Sequence, residues 1–178
     1  MHPDVESILF SQQAIAERVA QLGKQLSQDF ASTRPLMVCI LKGSIMFYAD
    51  LLRAMSIPVE LDFMAISSYG AGAKSSGEVR LVKDLDTKIE GRRVVIVEDI
   101  VDAGYTLSYL KRMLASRGPA SVSICALLDK VSRRQVPVEL EYTGFECADE
   151  FVVGYGLDFA QRYRNLPYIG ILKREVYE

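Results

Sequence analysis

Residues 94–107 read VVIVEDIVDAGYTL. Val94 to Val97 form an unbroken β-branched run, the pattern of a parallel-sheet strand covered on both faces. The run meets Glu98 and Asp99, then Asp102, Ala103-Gly104 and Thr106, after which a helical pattern begins. A strand, an acidic glycine loop and a helix in that order put the loop at the carboxyl edge of an open α/β sheet, where such folds bind ligands. The helix offers unpaired amides and the positive end of its dipole, which suit a phosphate. The carboxylates need another task, and adjacent acids facing a polyphosphate hold Mg2+ or the hydroxyls of a sugar. Taken alone, the stretch also fits the acidic strand end of a receiver domain or the metal-binding strand of a P-loop ATPase.

Upstream, Ser11 is placed to cap a helix in which Ile15, Val19, Leu22 and Leu26 recur at helical spacing. Arg34-Pro35 breaks that pattern, and Leu36–Leu41 is a second buried-strand run ending at Lys42-Gly43-Ser44. This turn lacks the Gly-rich lead and the Gly-Lys order of a Walker loop, and a helix is expected from Ser44 to about Met55. Val59–Ser67 reads as a strand. The stretch 67–86, with Gly70, Gly72 and Gly77, is long for a connection; it suits a lid, or a hairpin whose returning strand is Val79–Val82. Downstream, Leu107, Leu110, Met113 and Leu114 form one helix face, with Gly118 as the stop. Ser121–Leu128 is then a strand parallel to the opening one, and Asp129-Lys130 stands at its end. Residues 150–158 read EFVVGYGLD, Arg162 and Arg164 follow, and Tyr168–Leu172 is a last short strand.

The 178 residues suffice for one domain with a real core. With 21 basic and 23 acidic residues the net charge is −2, which gives no general attraction for nucleic acid or an anionic membrane. Cys39, Cys125 and Cys147 are odd in number and sit among apolar residues, so reduced thiols and a cytoplasmic location are expected. His2 is the sole histidine, at an expectedly mobile end, which excludes a histidine zinc site or a Ser-His-Asp triad and leaves base chemistry to a carboxylate. No apolar run reaches the roughly 20 residues of a membrane span.

The stretch 94–107 resembles the phosphoribosyl-diphosphate signature of type I phosphoribosyltransferases, and its Glu-Asp-Ile-Val-Asp form looks like the hypoxanthine-guanine branch. EFVVGYGLD resembles the purine-binding stretch of the same family, and the motifs stand in family order. The resemblance implies an α/β fold with a central, mostly parallel sheet flanked by helices. It implies one domain over 1–178, a mobile catalytic loop at about 67–86 begun by Ser68-Tyr69, and a small hood at about 150–178. Lys42 and Gly43 would then bind pyrophosphate, behind a Leu41-Lys42 peptide that is cis in some relatives, with Arg164 as a second contact. Glu98 and Asp99 would orient the ribose hydroxyls and, with Asp158, hold Mg2+. Asp102, Ala103, Gly104, Tyr105 and Thr106 would cradle the 5′-phosphate, and Asp102 would be the catalytic base, its basicity raised by desolvation or by its acidic neighbours.

Lys130 would contact the 6-oxo group, since an ammonium donates and accepts nothing. Phe151 would stack on the base, Val152 would read its edge through the backbone, and Asp158 would lie near base and metal. The implied partners are 5-phosphoribosyl 1-diphosphate, 6-oxopurine bases and, as a homodimer or homotetramer, copies of the chain itself; neither nucleic acid nor membrane is implied. Ala103 and Tyr105 depart from the family, which commonly has threonine and a basic residue there, so a weaker phosphate grip is expected. The alternative is a nucleotide-sensing, RNA-binding regulator built on the same fold.

Overall fold

The structure is a computed structural model, and it describes residues 1–68 and 79–178. In chain order the elements are β1 (Val5–Phe10), α1 (Gln12–Asp29), β2 (Leu36–Leu41), α2 (Ile45–Ala54), β3 (Glu60–Ser68) and β4 (Val79–Lys83). They continue with β5 (Arg93–Val101), α3 (Tyr105–Ala115), β6 (Ser121–Asp129), β7 (Tyr142–Glu146), β8 (Val152–Val153), β9 (Ile169–Leu172) and a short α4 (Arg174–Tyr177). Six strands form the main sheet in the order β4-β3-β2-β5-β6-β7. All neighbours in it are parallel except the edge pair β3–β4.

The continuous apolar runs have a direct packing explanation. Successive side chains on a strand point to opposite faces. Met37, Cys39, Val95, Val97, Cys125 and Leu127 pack on one side of the sheet with Leu22 and Leu26 of α1 and Phe47 and Leu51 of α2. Leu36, Val38, Ile40, Val94, Ile96, Ile124 and Ala126 pack on the other with Leu107, Leu110 and Leu114 of α3. Both faces are covered, so neither can alternate with polar residues. The three cysteines are free and buried.

Val79–Lys83 returns antiparallel to β3, as the hairpin reading has it. Residues 69–78, and with them Tyr69 and most of the expected loop, lie outside the described residues. The chain beyond β4 is pinned by Asp62, a buried carboxylate on β3. It accepts backbone amides from Phe63 at 2.7 Å, Asp86 at 3.0 Å and Thr87 at 2.9 Å.

A second, three-stranded sheet, β1-β9-β8, forms a hood over one end of the main sheet. Its small core is Val5, Val153, Tyr163 and Leu172. This corrects the expectation of a loose amino-terminal end. β1 pairs antiparallel with β9, the His2 amide donates to the Tyr168 hydroxyl at 2.8 Å, and the His2 ring stands edge-on to Tyr163. Among the described residues no helix is long and apolar enough to cross a membrane.

Candidate active site

β2, β5 and β6 are adjacent and parallel, so the loops at their carboxyl ends lie side by side. These are the loops carrying Lys42-Gly43, Asp102–Thr106 and Lys130. The Lys130 amide donates to the Val101 carbonyl at 2.9 Å, tying the second loop to the third. Glycine ties the first to the second: a Cβ built on Gly43 would fall 1.6 Å from Asp99 Oδ2, so only glycine lets that carboxylate reach the Lys42 loop. The hood closes on the same point, because a Cβ on Gly156, itself at φ 103°, would fall 1.9 Å from the Gly43 carbonyl. The Leu41-Lys42 peptide is cis.

Two helices aim their amino ends at this edge, and neither is capped. Gly104 precedes α3 in a left-handed conformation and Ser44 precedes α2, and no side chain bonds the first amides of either. Ser44 Oγ is turned inward to the Ile40 carbonyl instead. By contrast, α1, away from the site, is capped by Ser11, whose Oγ accepts the Ala14 amide at 3.1 Å. Open amides at two adjacent helix starts suit an anion with more than one phosphate.

Asp99, Asp102, Lys130, Phe151, Val152, Leu157 and Asp158 line one cleft of about 290 Å³. It therefore gathers every residue expected to read the purine, together with two of the three acids of the opening stretch. Lys130 is buried, and its Nζ donates to the Glu150 carbonyl at 2.7 Å. Phe151 remains 37% exposed while one face stacks on Tyr177 at 4.7 Å and its edge meets Phe159. Tyr177 escaped the sequence reading, because REVYE looks like any polar chain end.

The acids divide by environment. Glu98 carries a buried Oε2 with no hydrogen-bond partner among the described residues. Burial, and then the charge of Asp99, push its carboxyl well above the usual range. Asp99 is also raised by burial, opposed by the Ile100 amide at 2.8 Å and by the charge of Arg164. Two enclosed neighbouring carboxyls, one with an orphaned oxygen, form a donor set that a cation would complete. Asp158 is engaged elsewhere: it forms an ion pair with Arg164 Nη2 at 2.7 Å and accepts the Gln161 amide at 2.7 Å. No group of three potential ligands is close enough to hold an ion among the described residues.

The Asp102 side chain is about half exposed, and its Oδ1 forms an ion pair with Arg133 Nε at 2.8 Å. The Asp102 carbonyl accepts Arg134 Nη1 at 3.0 Å. The Ala103 carbonyl accepts the Gln135 and Val136 amides, each at 3.0 Å. The segment 133–136 thus backs the loop that starts at Asp102, a role with no sequence signal beyond two charges after a strand. Tyr105 is exposed and donates to Gln135 Oε1 at 3.1 Å, and Thr106 stands in the first turn of α3. Lys42 is exposed at the end of β2. Arg164 lies outside the cleft, its Nη1 donating to the Gly156 carbonyl at 2.7 Å, against the Gly43 contact.

Comparison with known proteins agrees with this arrangement. Residues 6–160 match the family described as phosphoribosyl transferase domain. The hypoxanthine-guanine phosphoribosyltransferase of Bacillus subtilis is 49% identical over 178 residues, covering 100% of this chain and 99% of that protein. The structure of a hypoxanthine phosphoribosyltransferase from Staphylococcus aureus superposes with a TM-score of 0.96 at 46% identity, covering 100% of this chain and 97% of that one. The hypoxanthine phosphoribosyltransferase of Trypanosoma cruzi, solved with its product IMP, gives a TM-score of 0.92 at 41% identity, covering 99% of each chain. Near full-length identity, the matching fold and the three adjacent strand-end loops agree, and the chain belongs to the phosphoribosyltransferase family, in its hypoxanthine-guanine branch.

Proposed function

We propose that this chain transfers the phosphoribosyl group of 5-phosphoribosyl 1-diphosphate to N9 of hypoxanthine or guanine, giving IMP or GMP and pyrophosphate in purine salvage. The observation that carries this reading is the convergence of Asp99, Asp102, Lys130, Phe151, Val152 and Asp158 on one cleft beside two uncapped helix starts.

The amides of Gly104, Tyr105 and Thr106, with the Thr106 hydroxyl and the Asp102-Ala103 backbone, hold the 5′-phosphate at the start of α3. Lys42, the Gly43 amide and Arg164 bind the diphosphate and stabilise the charge it gathers as the glycosidic bond lengthens toward an oxocarbenium-like transition state. The base stacks on Phe151, its 6-oxo group accepts from Lys130, and the Val152 backbone fixes its edge. Ser68 and Tyr69 begin the loop that excludes water.

Glu98 and Asp99 orient the ribose hydroxyls and supply the protein oxygens for Mg2+; Asp158, which lines the cleft with Asp99, is the third candidate donor. Mg2+ keeps few protein ligands and takes others from substrate phosphates, so the neighbouring Glu98 and Asp99 carboxyls would suffice on the protein side. When bound, it would neutralise developing charge on the leaving diphosphate. Asp102 takes the purine proton near N7 as N9 attacks. Three buried free cysteines support a reducing, cytoplasmic setting. The family resemblance supports a homodimer or homotetramer.

Steady-state assays with the diphosphate sugar, Mg2+ and each purine in turn test the reading. Hypoxanthine or guanine turns over, and adenine, whose exocyclic amine offers Lys130 no acceptor, does not; adenine turnover equal to hypoxanthine overturns the assignment of Lys130. Asp102→Asn lowers single-turnover rate by about 10²-fold or more with substrate binding little changed, and near-normal turnover removes its role as base. The regulator reading has nothing in its favour: the relatives carry enzyme names and the net charge is −2.

A further inference from the structure

Arg133 lies in the helical turn just after Lys130, and its side chain is half exposed. Its guanidinium is nonetheless committed at both ends. Nε meets Asp102 Oδ1 at 2.8 Å, and Nη1 meets Asp149 Oδ1 at 3.0 Å. Asp102 lines the cleft, and Asp149 lies just outside its lining, in the chain that leads into Phe151 and Val152. Asp102 opens the phosphate loop after β5, whereas Asp149 stands directly before the stretch 150–158 that carries Phe151, Val152 and Asp158. Lys130 approaches the same Asp149 oxygen at 3.9 Å while donating to the Glu150 carbonyl.

We propose that Arg133 is the positioning residue for Asp102: it fixes the aspartate rotamer, leaves Oδ2 for the purine, and ties the phosphate loop to the segment that leads into the purine stretch. This rests on the reading of Asp102 as the base. A carboxylate on an exposed loop samples several rotamers, and a proton acceptor works only within hydrogen-bond reach of its proton. Arg133 removes that freedom on Oδ1, and no side chain or backbone donor engages Oδ2 among the described residues. The Asp102 main chain is fixed separately, by Arg134 on its carbonyl, so consecutive arginines hold the backbone and the carboxylate of one residue. Arginine suits the task because a planar fork can meet two carboxylates in set directions, as an ammonium cannot.

Electrostatics alone argues the other way, which makes the idea testable. Removing a cation from beside a carboxylate strengthens it as a base. If charge were all that mattered, Arg133→Gln would leave the chemical step unchanged or faster. Positioning predicts a loss.

The test is single-turnover kinetics on the full chain, with hypoxanthine, the diphosphate sugar and Mg2+, for Arg133→Gln, Arg133→Lys, Asp102→Asn and the double variant Arg133→Gln/Asp102→Asn. The expected result is a rate about 10-fold lower for Arg133→Gln, with KM for the diphosphate sugar within about twofold and partial recovery in Arg133→Lys. The double variant should be no slower than Asp102→Asn, since Arg133 has nothing to position once the base is gone. A half-exposed pair adds little to folding, so unchanged thermal unfolding of Arg133→Gln accompanies the rate loss. A normal rate in Arg133→Gln beside a disabled Asp102→Asn overturns the inference and leaves the base assignment standing. So does a double variant whose losses multiply, because Arg133 then acts elsewhere. Normal turnover in Asp102→Asn overturns the base assignment and the positioning role together.

Discussion

Ala103 shows how much of the proposed phosphate site depends on backbone alone. Its carbonyl is held by the Gln135 and Val136 amides, and Gly104 beside it adopts φ 92°, where a Cβ would come within 2.7 Å of the Val136 carbonyl. The loop shape is therefore set by glycine and by segment 133–136, whichever residue occupies position 103. What alanine lacks is a hydroxyl facing the phosphate. Ala103→Thr should tighten binding of the diphosphate sugar by about 3- to 10-fold, the worth of one added hydrogen bond of about 1 kcal/mol. Titration calorimetry measures it, and an unchanged affinity shows that the amides already saturate the phosphate. Residue identity was legible wherever a motif has fixed spacing, as in Glu98-Asp99 and Asp102. It was not legible for Arg133, Arg134 and Tyr177, because a charge after a strand or a tyrosine near a chain end reads the same whether or not it touches the site.

At the scale of elements, the buried strands and the helices between them were readable from the chain. β2, β5 and β6 announce themselves as apolar runs because both faces are packed. β7, YTGFE at the sheet edge, carries no such run and was missed. The connection after β4 owes its course to Asp62, which no periodicity reveals. Burial pushes the Asp62 carboxyl up, but the backbone amides of Phe63, Thr87 and Asp86 outweigh burial and hold it below the usual value of 3.8. A carboxylate with a depressed folded pKa contributes stability that is complete above the unfolded value, near pH 4, and is lost as pH falls through the lower folded value. Asp62→Asn should thus destabilise the protein by about 1–3 kcal/mol at pH 7, since an amide turns a donor toward amides that need an acceptor. Urea unfolding at pH 7 and at pH 3 checks it. The gap between wild type and variant should shrink at the lower pH, and a gap independent of pH means the carboxylate charge is not what holds the turn.

The whole molecule is two sheets, and the smaller one joins distant parts of the chain. β1 comes from the first ten residues and β8 and β9 from beyond residue 150, so their pairing has no local signature. VESILF shows only Val5 buried, too little to read as a strand, which is why the hood was legible only through the purine stretch. Val5 sits opposite Leu172, and both belong to the small core under the purine wall. The loops after β2, β5 and β6 rest on the main sheet and its two clusters, one of which also takes in Val152 and Ile169 of the hood, whereas Val5 lies in the cluster that the hood keeps to itself. Weakening the hood should therefore divide the two substrates. Val5→Ala removes two buried methyls, a loss of about 1–2 kcal/mol felt first where the sheet is thinnest. Hydrogen exchange should speed in β9 and leave β2 and β5 protected. KM for hypoxanthine should rise about fivefold or more while affinity for the diphosphate sugar changes less than about twofold. Equal losses for both substrates, with exchange speeding throughout, would show that hood and main sheet unfold as one unit, held together by the cluster that Val152 and Ile169 share with the main sheet.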